Sequence, residues 1–542
     1  MKTNVRYRCS VDFPELNTVK DIILYGAKRG SNKKQYMFIN LDGKVETKTF
    51  RQVYHDFTGL GQLLYKRGLR EKKVAILSEN SYYWIAAFYA VSTGRMTAVP
   101  LDAKLSDEEL TEIMVRSGCD GIIYSDDFKS AIDLMKKTDG IVLTEYLRLD
   151  DFDNLVAEGH KDLENGAKFY LSDKVNPDDL GFIVYTSGTT GKSKGVMLTH
   201  RNVASDGTEI CRAMSGSNAI AFLPFNHTLS WASALLASPL FAEWGYLCKS
   251  VRDLPKDLVS YSPQNFTAVP LAVETIYKKI WHTAKKQGKE QKLQTGIKLS
   301  RALMKHGIDI RRKLFKEVID NLGGELELVI CGGAYLDELY ERGLYDLGLQ
   351  VIVGYGVTEC SPIITCNQLD NFKFGSVGKP LPCNEVIIHD PDENGVGEIY
   401  VKGSNVMLGY FDDPEATAEA FDNGWYRTGD FGYFDDEGFL YYKGRKKNLI
   451  VLSNGKNVSP EELEDQFSTV DYVKEVLVYA EADTIVGEFY LDANEPDAEE
   501  KLRAYVLECN RKKPVFKRIS KIVLRDTEFP KTTTLKIKRG KK

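Results

Sequence analysis

The sequence has no long apolar run. Its most hydrophobic extended stretch, ASALLASPLFAEWGYL, is broken by Pro239 and Glu243, and the opening MKTNVRYRCS has no apolar segment of the kind a secretory leader needs. Neither a membrane-spanning helix nor a signal peptide is therefore expected. Paired cysteines are missing too: the nine, at 9, 119, 211, 248, 331, 360, 366, 383 and 509, are odd in number and scattered, never a C-x-x-C with a second pair. That excludes a disulfide framework and a structural zinc site and points to a reduced, cytoplasmic setting. The seven histidines form no ligand cluster and no H-E-x-x-H, which removes the common zinc-enzyme patterns. Nor is there an excess of positive charge. The formal net charge is -5, so any anion site must be local rather than a property of the whole surface.

What is present is a chain of 542 residues, 43% hydrophobic, large enough for a major region and at least one further domain. Between residues 73 and 126, short β-rich runs (VAILSE, TAVPLD, GIIYSD) alternate with helical stretches (SYYWIAAFYAVST, SDEELTEIMVRSG). This alternation predicts a parallel sheet with crossover helices, the second of them opened by a capping box of Ser106 and Glu109. The pattern returns as LELVICGG, a helix from about Leu336, and QVIVGYG, a second β/α unit. From about residue 370 the texture changes to hairpins, NEVIIHDPDENGVGEIYVKG and YFDDEGFLYYKG. After GRKKNLI a small α+β region follows, its helix starting at SPEELE with Ser459 as N-cap, Pro460 at N1 and Glu462 at N3. The expected organisation is an α/β fold with a large N-terminal domain, 1–446, of two β/α subdomains plus a distorted β-barrel-like part, and a small mobile α+β domain, 447–542.

Two motifs mislead. GTTGKS suggests a Walker loop, but Gly188 and Gly191 enclose two residues where that motif needs four. DPDENG copies the start of a calcium loop, yet its twelfth position is Val401 rather than a bidentate Glu, so a hairpin turn accounts for it better. The stretch YTSGTTGKSKGVMLTH, Tyr185–His200, is more informative. It leaves a β-type apolar run, crosses a loop of Gly, Ser, Thr and Lys, and returns through GVMLTH. Glycines allow close backbone approach, hydroxyls and N–H groups donate, and lysines neutralise charge, which together cradle phosphates.

That stretch resembles the signature of the superfamily of adenylate-forming enzymes that includes acyl- and aryl-CoA synthetases, adenylation domains and luciferases, with Ser193 where proline is usual. Further segments similar to that family follow in order: LPFNHTLSW, CGGAYL, GYGVTECSP, GEIYVKGSNVMLGYF, WYRTGDFGYFDDEGFLYYKGR, KKNLIVLSNGKNVSPEELE and PKTTTLKIKR. The chain is identified as a member, most similar to long-chain fatty-acid–CoA ligases, and the resemblance implies ATP- and Mg²⁺-dependent activation of a carboxylic acid to an acyl-AMP, then transfer to coenzyme A.

The resemblance also implies roles for residues. Ser187, Gly188, Thr189, Thr190, Gly191 and Lys194 would contact nucleotide phosphates, with Thr186 at the loop's entry. Gly332, Gly333 and Ala334 would lie on the adenine side, where Tyr355 would stack, with Gly356 next to it in the nucleotide site. Thr358 would reach the α-phosphate, and Glu359 would hold Mg²⁺, for which a carboxylate is the right hard ligand. Asp430 and Arg445 would take the ribose. Lys536 would bridge the carboxylate and the α-phosphate during adenylation, with Leu535 replacing the family's glycine. Lys447 falls at the hinge position, beside Asn448 where aspartate is usual, and hinge rotation would exchange Lys536 for the loop carrying Gly455 in thioester formation.

His227, Trp231 and Gly354 fall where members bind the acid. The segment LPFNHTLSW has no acidic residue, and a buried substrate ammonium would be unpaired there, so a medium- to long-chain fatty acid is expected rather than an amino acid. Loading an acyl carrier protein, or a catalytically silent nucleotide-binding regulator, are the alternatives. The tail from Arg511 carries thirteen Lys and Arg against two acidic residues. Its aromatics are only Phe516 and Phe529 and no reader motif is present, so nucleic acid is not an expected partner; peripheral contact with a membrane is left open.

Overall fold

Helices and strands begin where local chemistry supplies caps and alternation. In the computed structural model, which describes residues 13–186, 193–213, 218–248, 252–452, 457–467, 470–531, 537 and 539, the helix Asp107–Ser117 opens on the Ser106/Glu109 capping box and ends on left-handed Gly118. Ser459 caps Pro460–Glu464 through the Glu462 N–H. The Glu462 carboxylate does not complete a capping box but pairs with Lys517 at 2.7 Å. DPDENG is a turn, with Asp392 Oδ1 accepting from the N–H groups of Asn394 and Val396.

The chain divides into two compact units, 1–385 with 401–426, and 386–400 with 427–542. The first contains two sheets. In the seven-stranded sheet the spatial order is Gly409–Tyr410, Lys194–Thr199, Leu180–Thr186, Thr97–Pro100, Lys73–Leu77, Gly121–Tyr124, Glu145–Arg148. Its strands from Lys73, Thr97, Gly121 and Glu145 pair in parallel, as the β/α alternation predicts. The nine-stranded sheet runs Lys379–Pro380, Ile363–Cys366, Gln350–Gly356, Leu328–Cys331, Asn265–Ala268, Ala219–Ala221, Gly245–Leu247, Lys34–Ile39, Val45–Thr49. We label five elements that carry the site: β1 (Leu180–Thr186), β2 (Lys194–Thr199), α1 (His200–Ala213), α2 (Glu338–Asp346) and β3 (Gln350–Gly356).

The helix Tyr82–Ser92 is apolar all round and buried along its length except at Tyr83, as a helix without a polar face must be. It sets Phe88 against Phe182 of β1 and against Trp231. ASALLASPLFAEWGYL divides into a π turn, Trp231–Leu236, a helix, Ala237–Phe241, and a strand. No helix among the described residues is long and apolar enough to cross a membrane.

The barrel-like part is an open five-stranded sheet, in the order Asn384–His389, Gly397–Gly403, Trp425–Phe434, Phe421–Asp422, with Leu440–Arg445 also on Trp425–Phe434; no closed barrel is present among the described residues. Further along the second unit, Val473–Glu481 and Thr484–Leu491 form the tight hairpin expected of VKEVLVYAEADTIVGEFYLD, with Lys521–Arg525 alongside in parallel. The described cysteines are all free thiols.

Glu341 on α2 shows what burial does to a carboxyl in this fold. It is 1% exposed and accepts from the Gly375 N–H at 3.0 Å. Burial pushes its pKa up to about 8, against the lowering effect of that hydrogen bond. The folded chain thus holds a proton that the unfolded chain gives up, so this group's stabilisation is present at acid pH and is lost as pH rises through the folded value. Thermal melts from about pH 6 to about pH 9 are expected to show a falling midpoint, and Glu341→Gln, which cannot ionise, should flatten that fall.

Candidate active site

β1 and β2 form a hairpin whose last pair is Thr186 opposite Lys194. The Thr186 hydroxyl donates to the Lys194 carbonyl at 3.5 Å. The residues between them that the sequence assigns to phosphate, Ser187 to Gly191, lie outside the described residues. The Lys194 ammonium sits 4.7 Å over the Tyr410 ring, a cation–π contact. β2 passes directly into α1, where Thr199 and Asn202 satisfy each other's backbone N–H through their side chains.

β3 carries Gly354, Tyr355 and Gly356 to the same region. Gly356 is required there, because a Cβ would lie 1.8 Å from the Pro362 carbonyl oxygen. A single 3-10 turn, Thr358–Cys360, follows and ends on Ser361 at φ 70. Three residues from the GSNVMLGY segment hold this turn. The Tyr410 hydroxyl donates to Glu359 Oε1 at 2.8 Å, Met407 N donates to the Glu359 carbonyl at 2.8 Å, and Asn405 Nδ2 donates to the carbonyls of Cys360 at 2.8 Å and Ile363 at 2.9 Å. None of the three carries a signal in the sequence that marks it as a partner of this turn. Nearby, burial raises the Tyr426 pKa well above its ordinary value and Glu359 adds to the shift. In the CGGAYL segment, Gly332 N donates to the Ala268 carbonyl at 3.1 Å. Gly333 takes φ 85 and Ala334 is exposed.

His227 precedes a one-turn helix, Thr228–Ser230, and accepts from the Ser230 N–H through its carbonyl. The π turn behind it leaves carbonyls without the usual intrahelical donors. Two buried tyrosines meet them: the Tyr89 hydroxyl donates to the Leu235 carbonyl at 2.6 Å, and the Tyr36 hydroxyl lies 2.7 Å from that of Tyr89 and 3.2 Å from the Ala234 carbonyl. Burial pushes the Tyr36 pKa up to about 12. Between this turn and the nine-stranded sheet is an apolar cleft with about 770 Å³ of empty space, bounded by Leu229, Ala232, Phe241, Ala221, Leu247 and Ile330 among others, with Glu243 its one carboxylate. Trp231 is not among the lining residues. Its ring is fully buried beside Phe88 and Phe182, and its Nε1 donates to the Phe225 carbonyl at 2.8 Å.

In the second unit, Asp430 and Arg445 face each other across adjacent strands, Nε to Oδ1 3.0 Å. Asp430 is fully buried while Arg445 keeps a partly exposed guanidinium. The turn Lys446–Asn448 places Lys447 at the surface, with Asn448 Nδ2 donating to Glu461 at 2.7 Å. Gly455 and Lys536 lie outside the described residues; near Lys536 in sequence, Lys531 bridges Ile537 and Arg539 pairs with Glu464.

Known proteins are similar in sequence and in fold. Residues 26–411 match the family described as AMP-binding enzyme, and residues 447–542 the one described as AMP-binding enzyme C-terminal domain. Long-chain-fatty-acid–CoA ligase 5 of Mus musculus is 30% identical over 476 residues, covering 80% of this chain and 69% of its own. Long-chain-fatty-acid–CoA ligase FadD15 of Mycobacterium tuberculosis is 29% identical over 444 residues, 77% of this chain and 72% of its own. Among solved structures, the anthranilate CoA ligase AuaEII with anthranoyl-AMP superposes at a TM-score of 0.78 with 19% identity, over 97% of this chain and 96% of that one. The o-succinylbenzoate CoA synthetase of Bacillus subtilis with ATP and magnesium superposes at 0.73 with 23% identity, over 96% and 98%. The chain belongs to the AMP-binding enzyme family and is an ATP-dependent, adenylate-forming acid–CoA ligase.

Proposed function

We propose that the acid is a medium- to long-chain fatty acid and that coenzyme A is the acceptor. The observation that carries this reading is the apolar cleft that Leu229 lines together with Ala221, Ala232, Phe241, Leu247 and Ile330. Each methylene of an acyl chain buried against such a surface contributes about 0.8 kcal/mol. The absence of a carboxylate from LPFNHTLSW disfavours amino acids, and the relatives' names point the same way.

A carboxylate oxygen of the acid attacks the α-phosphorus of ATP, the bond to the bridging oxygen breaks, and pyrophosphate leaves. The sulfur of coenzyme A then attacks the acyl carbonyl carbon, AMP departs with the former carboxylate oxygen, and the thiol proton passes to solvent. The protein's contribution is charge cancellation and alignment. The loop between Thr186 and Lys194 supplies donors and positive charge to phosphates, Thr358 a hydroxyl at the α-phosphate, and the Asp430/Arg445 pair a ribose contact. Glu359 is the residue that would hold Mg²⁺: its carboxylate offers hard oxygen ligands, with Oε1 oriented by Tyr410. Bound there, the metal supplies charge neutralisation at the phosphates. Lys447 is the proposed hinge at the start of the mobile domain 447–542, exchanging the Lys536 segment for the Gly455 loop between half-reactions.

Three outcomes are expected. Pyrophosphate release with Mg-ATP across acids from acetate to palmitate, with benzoate and amino acids, should be greatest for a fatty acid and rise sharply on adding coenzyme A. A response to acyl carrier protein in place of coenzyme A would favour the carrier-loading alternative, and silence with every acid the regulator. Ala221→Phe, which puts a ring into the cleft, should shift preference toward shorter acids, about 1.4 kcal/mol or tenfold in kcat/KM against the longest good substrate. Lys536→Ala should abolish acyl-adenylate formation while sparing thioester formation from supplied acyl-AMP. Equal loss of both half-reactions would remove Lys536 from the role given to it.

A further inference from the structure

Asp206 is a carboxylate that the reaction above does not use. It lies on α1 with no solvent exposure. Its Oδ1 accepts from the Ile363 N–H at 2.9 Å and lies 3.3 Å from Asn405 Nδ2. Oδ2 meets no donor among the described residues, and burial holds the carboxyl well above the usual range. An apolar side chain at this helix position would avoid the desolvation of a polar one, which costs on the order of 1–3 kcal/mol when a group is left unpartnered. Its partners show what the group does there.

Asn405 shares its two side-chain amide hydrogens among Asp206, the Cys360 carbonyl and the Ile363 carbonyl, and its backbone carbonyl accepts from the Ser361 hydroxyl at 2.9 Å. Apart from Asp206, these partners lie at the last residue of the Thr358–Cys360 turn and on the segment that leaves it. One helical turn before Asp206, on the same face of α1, Asn202 donates to the Ser404 carbonyl at 2.8 Å. Both residues of α1 therefore grip the strip 404–405, which leads to Met407 and Tyr410, the residues that hold Glu359. α1 in turn grows without a break from β2, whose first residue is Lys194. One rigid helix thus sets the distance between the strand returning from the phosphate loop and the turn carrying Glu359.

We propose that Asp206, acting through Asn405, is a positioning residue that holds the Glu359 turn in register with the phosphate hairpin for binding of metal–nucleotide. The proposal rests on the reading that Glu359 holds Mg²⁺. It needs the acceptor at Oδ1 rather than a charge, so the isosteric amide should substitute and an apolar residue should not.

Calorimetric binding of ATP with Mg²⁺ to the full chain tests it, with binding of adenosine, which has no phosphate for the turn to meet, as the control for an intact fold. Asp206→Leu should weaken Mg-ATP binding ~10-fold or more, the scale seen when a group that orients a metal ligand is removed, and leave adenosine binding within about twofold. Asp206→Asn should restore Mg-ATP binding to near the native value. If Asp206→Leu does not fold, Asn405→Ser reads the same link and should show the same selective loss. Equal weakening of Mg-ATP and adenosine, or no weakening while Glu359→Gln weakens Mg-ATP, overturns the positioning role alone. An unchanged Glu359→Gln removes the metal assignment, and the proposal with it.

Discussion

The contact between Trp231 and Phe182, ring centroids 5.0 Å apart, ties the LPFNHTLSW segment to β1. Phe182 belongs to β1, the strand that feeds the phosphate loop, and Trp231 opens the π turn that walls the apolar cleft. Phe88 packs against both, from a helix with no polar face to offer solvent. Such aromatic contacts combine a large buried area with a defined geometry. The segment proposed to meet the acid is therefore fixed to the strand that leads into the loop proposed to meet ATP. Alignment of two substrates is most of what this chemistry asks of a protein.

Around that anchor, several buried polar groups hold turns of the candidate site. The π turn exposes carbonyls to the interior, and Tyr36 and Tyr89 reach them from two different elements. The Glu359 turn is held by Tyr410, Met407 and Asn405, three residues from one short strip of chain. Asp430 is buried in the second unit with Arg445 across the strand pair. Unsatisfied buried polar groups are costly, so these arrangements favour one geometry strongly over its neighbours. The same logic applies to Glu341, which stays protonated where it meets a single backbone donor.

Much of the first unit was legible in the sequence. The β/α alternation from residue 73 named strands and helices that exist, Ser106 and Glu109 close the capping box they suggested, and DPDENG makes a turn rather than a calcium loop. Glu359 was singled out through the resemblance of GYGVTECSP to the family, and its metal role is the proposal made above. Tyr410, Asn405 and Asp206 were not legible. They lie about 50 and 150 residues from the turn they serve, and an asparagine, a tyrosine and an aspartate carry no local signal of a long-range partner. Trp231 illustrates the opposite limit: its position in a motif suggested the acid pocket, whereas its ring lies in the core, because a side chain's direction depends on the turn that carries it.

The sequence by itself determined the chemistry available: glycines and hydroxyls in one loop, a carboxylate after a β-strand, basic residues near the end, and no paired cysteines or histidine cluster to support a zinc site. These are properties of residue type and spacing, and they survive without coordinates. The tertiary structure alone decided which of those groups are held, and by what. Hydrogen bonds such as Tyr410 to Glu359 join residues 51 apart in the chain, and the cleft exists only where a π turn faces a sheet whose strands come from distant segments. Packing and hydrogen bonding act through space, and sequence separation does not encode them.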